Sequence, residues 1–81
     1  MKVDVQFFSR LRDVAGVSAM ALEVPEAATV TELLDILYLR TPDLRNWDKS
    51  ILIAAGLEFV GREYVLRPSD QISIMPPVQG G

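Results

Sequence analysis

The stretch Thr29-Val30-Thr31-Glu32-Leu33-Leu34-Asp35-Ile36-Leu37-Tyr38-Leu39-Arg40 decides the fold. Thr29 and Glu32 have the spacing of a capping box, in which the hydroxyl and the carboxylate satisfy amides that a first helical turn leaves without partners. Val30, Leu33, Leu34, Leu37 and Tyr38 then recur at i, i+3, i+4, i+7 and i+8, one apolar stripe along a helix. Pro42 disfavours helical geometry at Thr41, so the helix is expected to stop near Arg40. An amphipathic helix cannot bury its stripe alone. A sheet must receive it.

Strands are legible on both sides. Val3, Val5 and Phe7 alternate with Lys2, Asp4 and Gln6, the period of a half-buried strand, and Phe8 puts an apolar residue on the polar face. Residues 9–16 read as a short turn or helical turn anchored by Leu11 and Val14 and ended by Gly16. Met20, Leu22 and Val24 alternate with Ala21 and Glu23 in a second strand that Pro25 ends, antiparallel to the first across a long connection. Beyond the helix, residues 42–50 read as a polar connection carrying Trp47. Residues 51–55 form a short strand-like run, with a turn or bulge at Gly56. Residues 57–66 offer one or two further short strands around a turn at Gly61. Arg67-Pro68-Ser69-Asp70 is a turn cluster, and residues 71–75 form the last strand, with Ile72 and Ile74 inward. This order predicts an α+β domain over residues 1–75 of the β-grasp, ubiquitin-like plan. One main helix covers a mixed sheet whose first and last strands are central neighbours. Periodicity alone also admits a ferredoxin-like sandwich, which calls for a second helix that the pattern lacks.

Residues 76–81, Pro76-Pro77-Val78-Gln79-Gly80-Gly81, change character. Two prolines end the sheet ladder because they donate no backbone hydrogen bonds, and they favour an extended path. Gly80 and Gly81 can thread a channel too narrow for a Cβ. The six residues read as a flexible tail reaching roughly 20 Å, with a bare carboxylate at its end. Gly-Gly alone is more often the mark of a frayed terminus; the preceding strand and Pro-Pro make the pattern specific.

Composition excludes several classes of function. The chain of 81 residues has no Cys and no His. That removes thiol nucleophiles, disulfides, the usual zinc ligands and the commonest general base at neutral pH. A formal net charge of −3 argues against nucleic-acid binding. No apolar run approaches the ~20 residues of a membrane span, and the charged, alternating start is unlike a signal peptide, so cytoplasmic residence is expected. The chain is expected to bind no metal or cofactor and to catalyse nothing alone.

The whole chain resembles the small subunit of molybdopterin synthase. The likeness rests on Phe7-Phe8, Leu11-Arg12 and Gly16 near the start and, with greater specificity, on the closing Pro76-Pro77-Val78-Gln79-Gly80-Gly81. The family usually has Gly-Asp-Glu where this chain has Ser69-Asp70-Gln71, Val-Asn at Ala55-Gly56, and two aromatics at Ile74-Met75. The resemblance implies a sulfur carrier in molybdenum cofactor biosynthesis. An E1-like adenylyltransferase would use ATP to adenylate Gly81, and a sulfurtransferase would supply sulfur for a thiocarboxylate. The tail would then enter the large synthase subunit, in a heterotetramer of two large and two small subunits, and give sulfur to the dithiolene of molybdopterin. By position the family's contact residues fall on Phe7, Phe59 and Met75, although Phe7 alternates with Val3 and Val5 as a core residue does. Arg10 and Arg12 read as a solvated pair and Trp47 as a cap over the helix end. A sulfur carrier for thiamine thiazole synthesis and a ubiquitin-like protein modifier are the alternatives.

Overall fold

The structure, a computed structural model, describes residues 1–77. Strand β1 (Lys2–Phe7) is followed by helix α1 (Arg10–Ala15), strand β2 (Ala19–Glu23), helix α2 (Val30–Arg40) and a 3-10 helix (Pro42–Trp47). Three strands complete the sheet: β3 (Leu52–Ala55), β4 (Glu58–Phe59) and β5 (Gln71–Met75). Their order is β2-β1-β5-β3-β4. β1 and β5 run parallel at the centre, with Val5 opposite Ile72 and Phe7 opposite Ile74. β2 and β3 flank them antiparallel. This is the expected β-grasp, with the first and last strands as central neighbours.

The helix forms as its sequence dictates. The Thr29 side chain accepts from the Glu32 amide at 3.3 Å and Glu32 accepts from the Thr29 amide at 3.1 Å, so the capping box is complete. Val30, Leu33, Leu34, Leu37 and Tyr38 are all buried. They lie against Val3, Val5 and Phe7 of β1 and Ile72 and Ile74 of β5, which the register places on one face of the sheet. Leu11 of α1 closes one end of this core, and Gly16 ends α1 at φ 80°, a left-handed conformation suited to glycine.

Two segments differ from the sequence pattern. Residues 42–50 are not a plain loop: Pro42 ends α2 but also opens the 3-10 helix, where its fixed φ and missing N–H are tolerated, and Leu44 anchors that helix in the core. Within residues 57–66 only Glu58–Phe59 form a strand, while Val65 makes a single bridge to Thr29. Tyr64 and Arg62 instead offer their carbonyls to the amides of Val30 and Thr31, satisfying the start of α2.

A polar staple joins α2 to the turn beyond the 3-10 helix. The Tyr38 hydroxyl donates to Asp48 Oδ1 at 2.5 Å, and Arg62 donates to the same oxygen at 2.9 Å and to the Asp48 carbonyl. The Tyr38 hydrogen bond, reinforced by Arg62, holds the Asp48 carboxyl below its ordinary value against an opposing effect of burial. The unfolded chain therefore binds more protons in the acid range. The staple's contribution is full above about pH 4 and is lost as pH falls through the folded-state value. Tyr38→Phe is expected to lower stability at pH 7 by about 1 kcal/mol, a modest figure because Asp48 and Arg62 are partly exposed. The gap between the urea midpoints of the two proteins should narrow progressively as pH falls below about 4 towards the lowered folded-state value, and a gap that does not narrow in acid would contradict this assignment.

The turn before β5 carries strain. Asp70 donates its amide to the Arg67 carbonyl at 3.1 Å, with Pro68 and Ser69 between them and Ser69 at φ 70°. That is the pattern of a type II turn, whose third residue is ordinarily glycine. Ser69→Gly is expected to raise stability by up to about 1 kcal/mol, since relief of the left-handed conformation outweighs the added freedom of the unfolded chain. A lowered thermal midpoint would refute this.

Candidate functional site: the root of the tail

β5 delivers the chain to the site. It is held on both sides, by Phe7 opposite Ile74 and by Leu52 opposite Met75, and the Phe8 amide donates to the Ile74 carbonyl at 3.2 Å. The tail therefore starts from the rigid middle of the sheet. Pro76 and Pro77 are half-buried and line an open cleft of about 420 Å³ with Ser9, Arg10 and Trp47. Ser9, at φ 52°, makes the sharp reversal that turns β1 into α1 and brings Arg10 alongside. The Arg10 guanidinium carbon stands 5.9 Å from the centroid of the Trp47 ring, within cation–π range.

The second part of the site is the sheet face turned away from α2. Gln6, Ser73, Ala54 and Phe59 form one row across it by register, and Met75 and Leu52 form the next. Phe8 continues the alternation of Gln6 onto the same face. Phe59 is 71% exposed and Phe8 42% exposed, while Met75 and Leu52 are half-buried. An apolar strip thus lies beside the point where the tail departs. Gly56, at φ 62°, opens the two-residue turn between β3 and β4 and holds Phe59 on this strip.

The structure brings Phe59, Met75, Pro76 and Pro77 to one end of the sheet. Val78, Gln79, Gly80 and Gly81 lie outside the described residues. Phe7 is core, as its alternation indicates, and the exposed aromatic beside it is Phe8, one residue past the end of β1. The sequence pattern put Phe8 on the polar face, as found, but assigned it no part in this end of the sheet. It also missed Trp47 and Arg10, which no local signal ties to the tail. Among the described residues no cluster of His, Cys, Asp or Glu is placed to hold a metal ion, and no helix is long and apolar enough to cross a membrane.

Comparison with known proteins places this geometry. The ThiS family model matches residues 5–81. The molybdopterin synthase sulfur carrier subunit of Chlamydomonas reinhardtii is 30% identical over 83 residues, covering 100% of both chains. Among solved structures, SAMP1 of Haloferax volcanii superposes with a TM-score of 0.87 at 27% identity, covering 100% of both chains. A chain from the Helicobacter pylori complex of subunits 1 and 2 of molybdopterin-converting factor gives 0.74 at 26% identity, again with 100% of both covered. The five-stranded β-grasp and a match that spans the tail lead to one conclusion: the chain belongs to the ThiS family, as a relative of the molybdopterin synthase sulfur carrier subunits.

Proposed function

We propose that this protein is the sulfur carrier of a molybdopterin synthase, and that the carboxylate of Gly81 is the group that carries sulfur. The observation that carries this reading is the full-length likeness to a sulfur carrier subunit, tail included, in a chain without Cys or His. A carboxylate is a poor acyl donor. Attack of its oxygen on the α-phosphorus of ATP, with pyrophosphate leaving, makes an acyl adenylate on an E1-like partner. Sulfide-level sulfur supplied by a sulfurtransferase then attacks the carbonyl carbon, AMP leaves with the bonding electron pair, and loss of a proton gives a thiocarboxylate. The bare Gly80-Gly81 arm suits delivery into a buried site of the large subunit, where the dithiolene of molybdopterin is built.

The apolar strip of Phe8, Met75 and Phe59 supports a protein partner that seats against the sheet while the tail enters it. The Helicobacter complex, whose two components are subunits 1 and 2 of molybdopterin-converting factor, favours the large subunit as that partner. Pro76 and Pro77, which share a cleft with Arg10 and Trp47, would fix the direction in which the arm leaves. The catalytic groups would belong to the partners.

A second reading, a ubiquitin-like modifier joined through Gly81 to lysines, is favoured by the likeness to SAMP1, a small archaeal modifier protein. Complementation separates these readings and a thiamine role. Expression in cells lacking their own molybdopterin sulfur carrier is expected to restore molybdoenzyme activity, with no rescue of cells lacking the thiamine sulfur carrier. Rescue of the thiamine strain alone would overturn the proposal.

A further inference from the structure

The sheet ends at two edges, and only one of them is blunted. Natural sheets guard an edge by shortness, proline, a bulge or charge, because its unpaired N–H and C=O groups invite another strand. β4 is two residues long. β2 has five residues in unbroken register with β1, and Ala19-Met20-Ala21-Leu22 carries neither charge nor proline before Glu23.

The direction of the β2 amides follows from the bonds that flank the strand. The Phe7 amide donates to the Ser18 carbonyl at 2.9 Å, and the Val24 amide donates to the Met1 carbonyl at 2.9 Å. In an antiparallel ladder both polar groups of a residue point to one side, and successive residues alternate. Ser18, Met20, Leu22 and Val24 therefore face β1. Ala19, Ala21 and Glu23 turn their N–H and C=O groups away from the sheet, where no strand meets them among the described residues.

The charges near this edge sit at its two ends. Arg12 is exposed and enters no ion pair among the described residues. It lines a surface hollow of about 220 Å³ with Gln6, Phe8 and Ala19, so it stands at the Ala19 end of β2. Glu23, its side chain 70% exposed, marks the other end, four residues or roughly 13 Å along the strand.

We propose that β2 pairs antiparallel with β2 of a second copy of this chain, about a two-fold axis at Ala21. In that register Ala21 faces Ala21 of the second copy, and Ala19 faces Glu23 of the second copy. Every outward N–H and C=O group of the strand is then paired. Glu23 of the second copy falls at the lip of the hollow beside Arg12, and the symmetry repeats that ion pair at the far end. A register shifted by two residues either way pairs fewer of these groups and moves Glu23 off Arg12. Pro25, without an N–H, ends the ladder just beyond. The two sheets become one, with the β2 strands at its middle. The β5 strands of the two copies then run in opposite directions, and the two tails depart from opposite ends. The strip of Met75 and Phe59 lies on strands away from the paired edge and stays open to a different partner. So short an edge belongs with the small, weak and transient interfaces.

Sedimentation equilibrium of the full chain at concentrations up to about 1 mM, where so small an interface is populated, tests this. The expected result is a monomer–dimer equilibrium that weakens as salt rises. Ala21→Pro removes the donor on the axis, at an edge position where proline leaves the β1 ladder intact. It should abolish the dimer with an unchanged far-ultraviolet circular dichroism spectrum. Arg12→Glu and Glu23→Arg should each weaken association about tenfold, since each sets like charges together at both ends of the strand. Combining the two should restore the wild-type affinity, and within one chain the positions are too far apart to pair. A chain that stays monomeric throughout overturns the inference. So does a dimer that survives Ala21→Pro, or a double variant that associates no better than either single one.

Discussion

Deleting Gly80 and Gly81 is expected to abolish molybdopterin formation in a reconstituted synthase while leaving the thermal midpoint of the domain unchanged. The truncated chain still ends in a carboxylate, but on Gln79, with a side chain where the arm has to be narrow. Its reach is shortened by roughly 7 Å. Displacement of a reacting atom by as little as 1 Å can cost about a hundredfold in rate, so a loss of this size leaves no measurable turnover. Stability is expected to hold because the sheet ends at Met75 and the buried core runs from Val3 to Ile74, so the deleted residues lie outside it. Turnover by the truncated chain within tenfold of wild type would remove Gly81 from the account.

The largest effect on stability is expected from Leu37→Ala. Leu37 has no exposed surface and stands in the middle of the α2 stripe, against the sheet. Removing its branched end costs the transfer of the lost carbons from water and leaves a cavity that the surrounding side chains cannot fully close, together about 2–5 kcal/mol. Small domains have only about 5–15 kcal/mol in total. The thermal midpoint should therefore fall by roughly 8–40 °C for a domain of this size. Leu39→Ala provides the control two residues away. Leu39 is 79% exposed, and its loss should change stability by no more than about 0.5 kcal/mol. Urea unfolding of the pair checks both values, and equal effects would contradict the placement of the stripe.

Most of the fold was legible because its signals are local. The capping box at Thr29 and Glu32, the α2 stripe, the alternation of Val3, Val5 and Phe7, and the proline stops each depend on neighbours a few residues away. The 3-10 helix was not legible, since a single buried Leu44 gives no period. The stretch 57–66 was over-read: its apolar residues suit a strand, but after Phe59 the backbone is drawn off to satisfy the amides at the start of α2.

The candidate site was legible only in part. Pro76 and Pro77 marked the root of the tail, and Phe59 and Met75 marked the strip. Trp47 and Arg10 meet the tail only through contacts between 3-10 helix, α1 and the end of β5, which spacing along the chain does not encode. Phe7 and Phe8, by contrast, were separated by alternation alone, Phe7 on the core face and Phe8 on the polar one. One residue of register decides which aromatic is core and which faces outward, and the pairing of β1 with β5 agrees.

The central claim is that sulfur is carried on Gly81, and the intact mass of the chain tests it most directly. Incubated with its activating enzyme, ATP and a sulfurtransferase with its sulfur donor, the chain is expected to gain the mass difference between one sulfur and one oxygen, with the change confined to the C-terminal peptide. An unchanged mass, with the same partners shown to modify a known carrier, would contradict the account.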